Sequence, residues 1–127
     1  MNKLLLVFLG GGVGSLARYL VGTATLRTFG AAWPYGTFTV NVVGGFVMGL
    51  LAGILAFRGG ADQERWRVLI GVGILGGFTT FSSFSLEVAL MIERKDYWDA
   101  FGYIAGSLIF AVGALFLGLF AARRVFA

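Results

Sequence analysis

The sequence predicts an all-α membrane protein with four transmembrane helices, and three observations carry that prediction. Of the 127 residues 58% are hydrophobic and only 13% charged, with a mean hydropathy of +0.89; soluble domains average about a quarter charged residues. Four apolar runs are separated by short polar turns, and each is long enough to cross a bilayer, which takes about 20 residues. All three tryptophans, Trp33, Trp66 and Trp98, fall at the ends of those runs, where amphipathic rings favour the membrane–water boundary.

The first run covers residues 4–26. Its front resembles a secretory signal, and Ser15-Leu16-Ala17 a weak cleavage site, but Arg18 follows and the apolar run resumes. A retained helix is therefore expected. Gly10 and Gly14 have the spacing of a small-residue helix contact; the glycine run lacks the strand–turn–helix setting of a nucleotide loop. Arg18 is the basic residue well inside an apolar run. It either snorkels toward the nearby boundary or lines a water-filled vestibule that attracts anions.

The second run covers 34–57 and opens on Trp33-Pro34-Tyr35-Gly36. Proline suits a helix start, and the aromatic pair suits the boundary. Asn41 lies inside the run. A buried amide needs a partner, so Asn41 is either packing glue between helices or a donor to a passing anion. Gly45, Gly49 and Gly53 form a second small-residue face.

The third run covers 68–92 and is long for one crossing. The adjacent Gly76 and Gly77 predict a break near them, since glycine is a poor helix interior. Irregular backbone at membrane depth survives only against protein or water, and freed carbonyls there suit a hard cation. Phe78, Phe81 and Phe84 recur every third residue, with Thr79, Ser82 and Ser85 one position on. On one helix these would set aromatic edges beside hydroxyls. Glu87 follows, either as a proton-coupling carboxylate or in a wet vestibule.

The fourth run covers 100–122 and ends at Arg123-Arg124. Gly102 and Gly106 repeat the small-residue spacing, and Tyr103 and Ser107 share a face. Their hydroxyls either bond a neighbouring helix or line a path. Lys3, Arg58, Arg65, Arg67, Arg123 and Arg124 fall on one side of the predicted membrane, and Arg27, Arg94 and Lys95 on the other. The bias favours cytoplasmic termini.

The composition also excludes functions. There is no cysteine and no histidine, which removes most metal sites and most nucleophile–base pairs. Enzymatic activity is not expected. A net charge of +4 with pI ≈ 10.0 fits loops facing lipid headgroups rather than nucleic acid.

Taken in order, Trp33-Pro34-Tyr35-Gly36-Thr37, Val40-Asn41, Gly44-Gly45, Gly76-Gly77 and Thr79 to Ser85 closely resemble the CrcB/Fluc fluoride channels. The resemblance covers nearly the whole chain, and the third-run motif is its most specific part. It implies a passive fluoride exporter of the bacterial inner membrane that confers fluoride resistance. It also implies an antiparallel, dual-topology homodimer with two pores, or a heterodimer of oppositely oriented chains as in some members. By resemblance, Phe81 and Phe84 line the pore, Asn41 is a pore donor, and Ser82 and Ser83 form a polar track. Tyr103 and Ser107 lie along the route, and Arg18 belongs to a vestibule. A structural sodium ion at the dimer centre is implied on the backbone carbonyls of Gly76 and Thr79. The competing reading is a proton-coupled small multidrug transporter using Glu87, and a further one is a membrane scaffold without transport.

Overall fold

The computed structural model describes residues 2–58 and 60–126, and nearly all of them are helical. Gly59, in the expected polar turn, lies outside the described residues. Helix α1 spans Lys3–Phe29. It starts at Asn2, whose Oδ1 accepts the Leu4 N–H at 2.6 Å, and stops at Gly30, where φ is 83° and a side chain would be strained. Helix α2 spans Tyr35–Arg58, directly after Pro34.

The third crossing is composite. It runs through a 3₁₀ turn at Gly60–Asp62, a short α3 at Gln63–Trp66, a π-helical stretch at Arg67–Leu75, α4 at Gly76–Phe78 and α5 at Phe81–Glu93. Helix α6 spans Tyr97–Phe126. Four helical segments are thus long and apolar enough to cross a membrane: Lys3–Phe29, Tyr35–Arg58, Gly60–Glu93 and Tyr97–Phe126. The helices extend a few residues past the expected apolar runs at most ends, because polar end turns stay helical beyond the hydrocarbon layer.

The core is built largely from backbone brought close by glycine. A Cβ on Gly14 would collide with the Ile74 carbonyl, and one on Gly10 would lie 2.7 Å from the Leu69 carbonyl oxygen. On the other side of the bundle, Gly45, Gly49 and Gly53 press against Ala111, Leu115 and Ala122 of α6. Two of the expected small-residue faces are therefore real helix contacts. The third is not made within the chain: a Cβ on Gly102 would meet nothing within 4 Å, and one on Gly106 only the edge of Phe38 at 4.0 Å. Large apolar side chains turn outward instead, among them Leu4, Phe8 and Phe116, as lipid solvation allows.

The third crossing is bent, but the break sits past the glycine pair. Gly76 keeps helical angles, φ −61° and ψ −37°. The chain becomes extended at Thr79 (ψ 157°) and Thr80 (φ −151°, ψ 117°). Threonine is β-branched and accepts extended backbone readily. Gly77 serves close approach instead, since a Cβ there would lie 2.5 Å from the Gly11 carbonyl oxygen. The break also divides the expected stripe: Phe78 ends α4, while Phe81 and Phe84 sit in α5.

Candidate ion pathway

The broken backbone is held from α2. The Thr80 N–H donates to Asn41 Oδ1 at 2.8 Å, and Asn41 Nδ2 donates back to the Thr80 carbonyl at 3.1 Å. One side-chain amide thus satisfies both backbone groups of a buried, extended residue. An amide nitrogen carries two hydrogens, so Asn41 keeps a second N–H after this pairing. The two sequence readings of Asn41, glue and donor, are compatible in this geometry.

Thr80 then starts α5. Its Oγ1 accepts the Ser83 N–H at 3.1 Å and lies 3.3 Å from Ser82 Oγ. This is an ordinary N-cap, and the hydroxyls of Thr80 and Ser82 are brought side by side by it.

Asn41, Thr80, Phe81, Phe84 and Ser107 line one cavity of about 250 Å³. The Phe81 and Phe84 rings lie 5.7 Å apart at 38°. They differ in support. Phe84 packs on Tyr103 at 5.0 Å, whereas Phe81 is 78% exposed. Ser107 is only 7% exposed, and its Oγ has no hydrogen-bond partner. A buried hydroxyl without a protein partner is costly.

A second, larger cleft of about 470 Å³ adjoins the first, with Thr80 in the wall of both. Arg18, Thr37, Ser83 and Glu87 line it. Arg18 therefore faces this cleft. Glu87 accepts a hydrogen bond from the Tyr103 hydroxyl at 2.9 Å. Tyr103 is fully buried and lines neither cavity; it bonds a neighbouring helix, the first of the two expectations for it. Trp33 meets its ring edge-on at 5.2 Å.

The break also changes which carbonyls are free. In a continuous helix the Gly76 carbonyl would take the Thr80 N–H, and the Thr79 carbonyl the Ser83 N–H. Those N–H groups go to Asn41 and to Thr80 Oγ1 instead. Among the described residues no cluster of three or more His, Cys, Asp or Glu stands ready for a metal. The oxygen donors at this level are backbone carbonyls and the neutral side chains of Asn41, Thr79, Thr80 and Ser82, a set that suits a hard alkali cation.

Sequence reasoning missed Thr80, the residue shared by both cavities. The signal was present as Thr80-Phe81-Ser82-Ser83 ahead of an apolar helix, a hydroxyl N-cap pattern. It also missed Trp33 as a packing partner of Tyr103, which only the fold brings together.

A family model described as CrcB-like protein, Camphor Resistance (CrcB), matches residues 5–119. A Caulobacter vibrioides (strain NA1000 / CB15N) protein named Fluoride-specific ion channel FluC is 65% identical over 127 residues, all of both chains. One of the same name from Phenylobacterium zucineum (strain HLK1) is also 65% identical over 127 residues, again all of both. Fluoride-specific ion channel FluC 2 of Nitrobacter hamburgensis is 50% identical over 121 residues, 95% of this chain and 97% of that protein.

Proposed function

The chain belongs to the CrcB family, and on that premise we propose that it is a fluoride-specific ion channel and not an enzyme. Fluoride is the ion it moves, passively and outward across the bacterial inner membrane. Fluoride enters acidified cells as neutral HF and ionises inside, so a channel alone releases it, helped by the membrane potential.

The observation that carries the reading is the small cavity. It collects Asn41, Phe81, Phe84 and Ser107 from three separate crossings, and the Ser107 hydroxyl in its wall is buried without a partner in the protein. A compact anion with a tight water shell needs replacement donors. The spare Asn41 N–H and the Ser107 hydroxyl supply two. The positive edges of Phe81 and Phe84 supply two more contacts without a full charge. Ser82 and Ser83 extend the hydroxyl line from Thr80, and Arg18 draws anions into the adjoining cleft. Glu87 acts there as a vestibule group held by Tyr103 rather than as a proton-coupling site.

The channel is an antiparallel, dual-topology homodimer. Phe81 supports this, because a pore ring left 78% exposed in one chain requires a second surface to close the path. Sodium is a fitting structural ion for the dimer centre. The carbonyls of Gly76 and Thr79, released from helical partners by the break, would hold it, and it would fix the broken backbone by charge alone.

The test is anion efflux from liposomes containing the pure protein. Fluoride should leave rapidly and chloride negligibly, and Phe81→Ile or Phe84→Ile should cut fluoride flux severely while the dimer still assembles. Equal flux of both halides would overturn the selectivity, and normal flux in both single variants would remove the role of the rings.

A further inference from the structure

The polar turn before the third crossing forms a site that the ion pathway does not use. A cavity of about 450 Å³ lies between the start of α1 and this turn, lined by Leu6, Asp62, Arg65, Trp66 and Leu69. Leu6 and Leu69 give it an apolar floor, and Trp66, half exposed, stands at its side. A tryptophan beside an apolar floor and charged neighbours suits the membrane–water boundary, where headgroups meet acyl chains.

Two charges of opposite sign line the same cavity, Asp62 and Arg65. They are three residues apart, yet among the described residues neither makes an ion pair or a side-chain hydrogen bond. Neighbouring charges are engaged. Arg67 is held by Glu64 through bonds of 2.6 and 3.0 Å, and Lys3 lies 3.7 Å from the same carboxylate. Among the described residues the local network thus leaves Asp62 and Arg65 without partners, both lining the same hollow.

We infer that this hollow seats the headgroup of a zwitterionic aminophospholipid. Arg65 takes the phosphodiester, Asp62 takes the primary ammonium, and the upper acyl chain lies over Leu6 and Leu69. A guanidinium matches phosphate oxygens, and a carboxylate accepts charge-assisted bonds from an N–H donor. Phosphatidylethanolamine offers such hydrogens, whereas the quaternary ammonium of phosphatidylcholine offers none. An anionic lipid would satisfy Arg65 but leave Asp62 facing like charge.

The occupant can be read through Trp66. The protein, carrying Trp98→Phe to remove the exposed tryptophan at the far end, is placed in phosphatidylcholine vesicles. A minor fraction of the lipid is brominated on its acyl chains. At equal mole fraction, brominated phosphatidylethanolamine should quench Trp66 about twofold or more beyond brominated phosphatidylcholine, as a charge-assisted pair of contacts would require. A Trp66→Phe control subtracts Trp33. Asp62→Asn and Arg65→Gln should each remove that excess while fluoride efflux continues, which shows that both variants fold. Quenching by brominated phosphatidylglycerol equal to that by phosphatidylethanolamine would assign the effect to general attraction by a basic surface and overturn the site. Equal quenching by phosphatidylcholine, or none by any lipid because protein covers the hollow, would also overturn it.

Discussion

Ser107 and Asn41 sit in the same cavity, but the structure gives their side chains opposite energetic roles. The Ser107 hydroxyl bonds nothing in the protein. Ser107→Ala should therefore leave thermal stability unchanged or raise it by up to about 1 kcal/mol, since an unpaired buried polar group is removed. Fluoride efflux should fall all the same, and a scanning unfolding curve beside a flux trace separates the two effects. Asn41 instead closes two hydrogen bonds to Thr80. Asn41→Ala leaves a buried N–H and carbonyl without partners, at about 1–3 kcal/mol for each unsatisfied group. Lower thermal stability together with lost flux is expected. A variant as stable as the parent would show that the amide does not hold the break.

Among the elements, the third crossing depends on what α1 and α2 allow it to approach. A Cβ at Gly14 meets backbone at Ile74, while one at Gly12 meets nothing within 4 Å. Gly14→Ala should lose the folded protein from detergent extracts, because backbone cannot move aside as a side chain can. Gly12→Ala should be neutral or gain up to about 1 kcal/mol from helix propensity. The stop at Thr79 and Thr80 rests on a cap as well as on Asn41. Thr80→Val keeps the β-branch and loses the hydroxyl that accepts from Ser83, which should cost about 0.5–2 kcal/mol by thermal unfolding. Aromatic packing then passes support outward from α5, since Phe84 leans on Tyr103 and Tyr103 on Trp33.

For the whole molecule, charge distribution bears on orientation. The end with both chain termini carries six basic and two acidic side chains, and so the entire net charge of +4; the opposite end carries three of each. Lysine and arginine counts alone favour cytoplasmic termini, whereas an antiparallel homodimer needs both orientations. The chain has no cysteine, so single introduced thiols report cleanly. Ala61→Cys and Asp96→Cys lie at opposite ends. In intact cells a membrane-impermeant maleimide should label a fraction of each. Labelling of Asp96→Cys alone would mean one orientation, and would replace the homodimer by a pair of different chains.

The sequence by itself determined four helices long and apolar enough to cross a membrane, two of the three glycine contact faces and a disturbed third helix. These follow from local quantities: apolar length, side-chain amphipathicity and residue spacing along one helix. Family membership was legible too, because the Thr79 to Ser85 motif stands in unbroken order. The exact site of the break was not legible, since Gly76 stays helical, Gly77 serves close approach to α1, and the extended turn waits on an amide 39 positions away. Nor was the division of the phenylalanine stripe or the Tyr103–Glu87 bond. The stripe is divided by a break held from another crossing, and the bond joins two crossings; a helix period fixes which face a residue occupies but not which neighbour that face will meet.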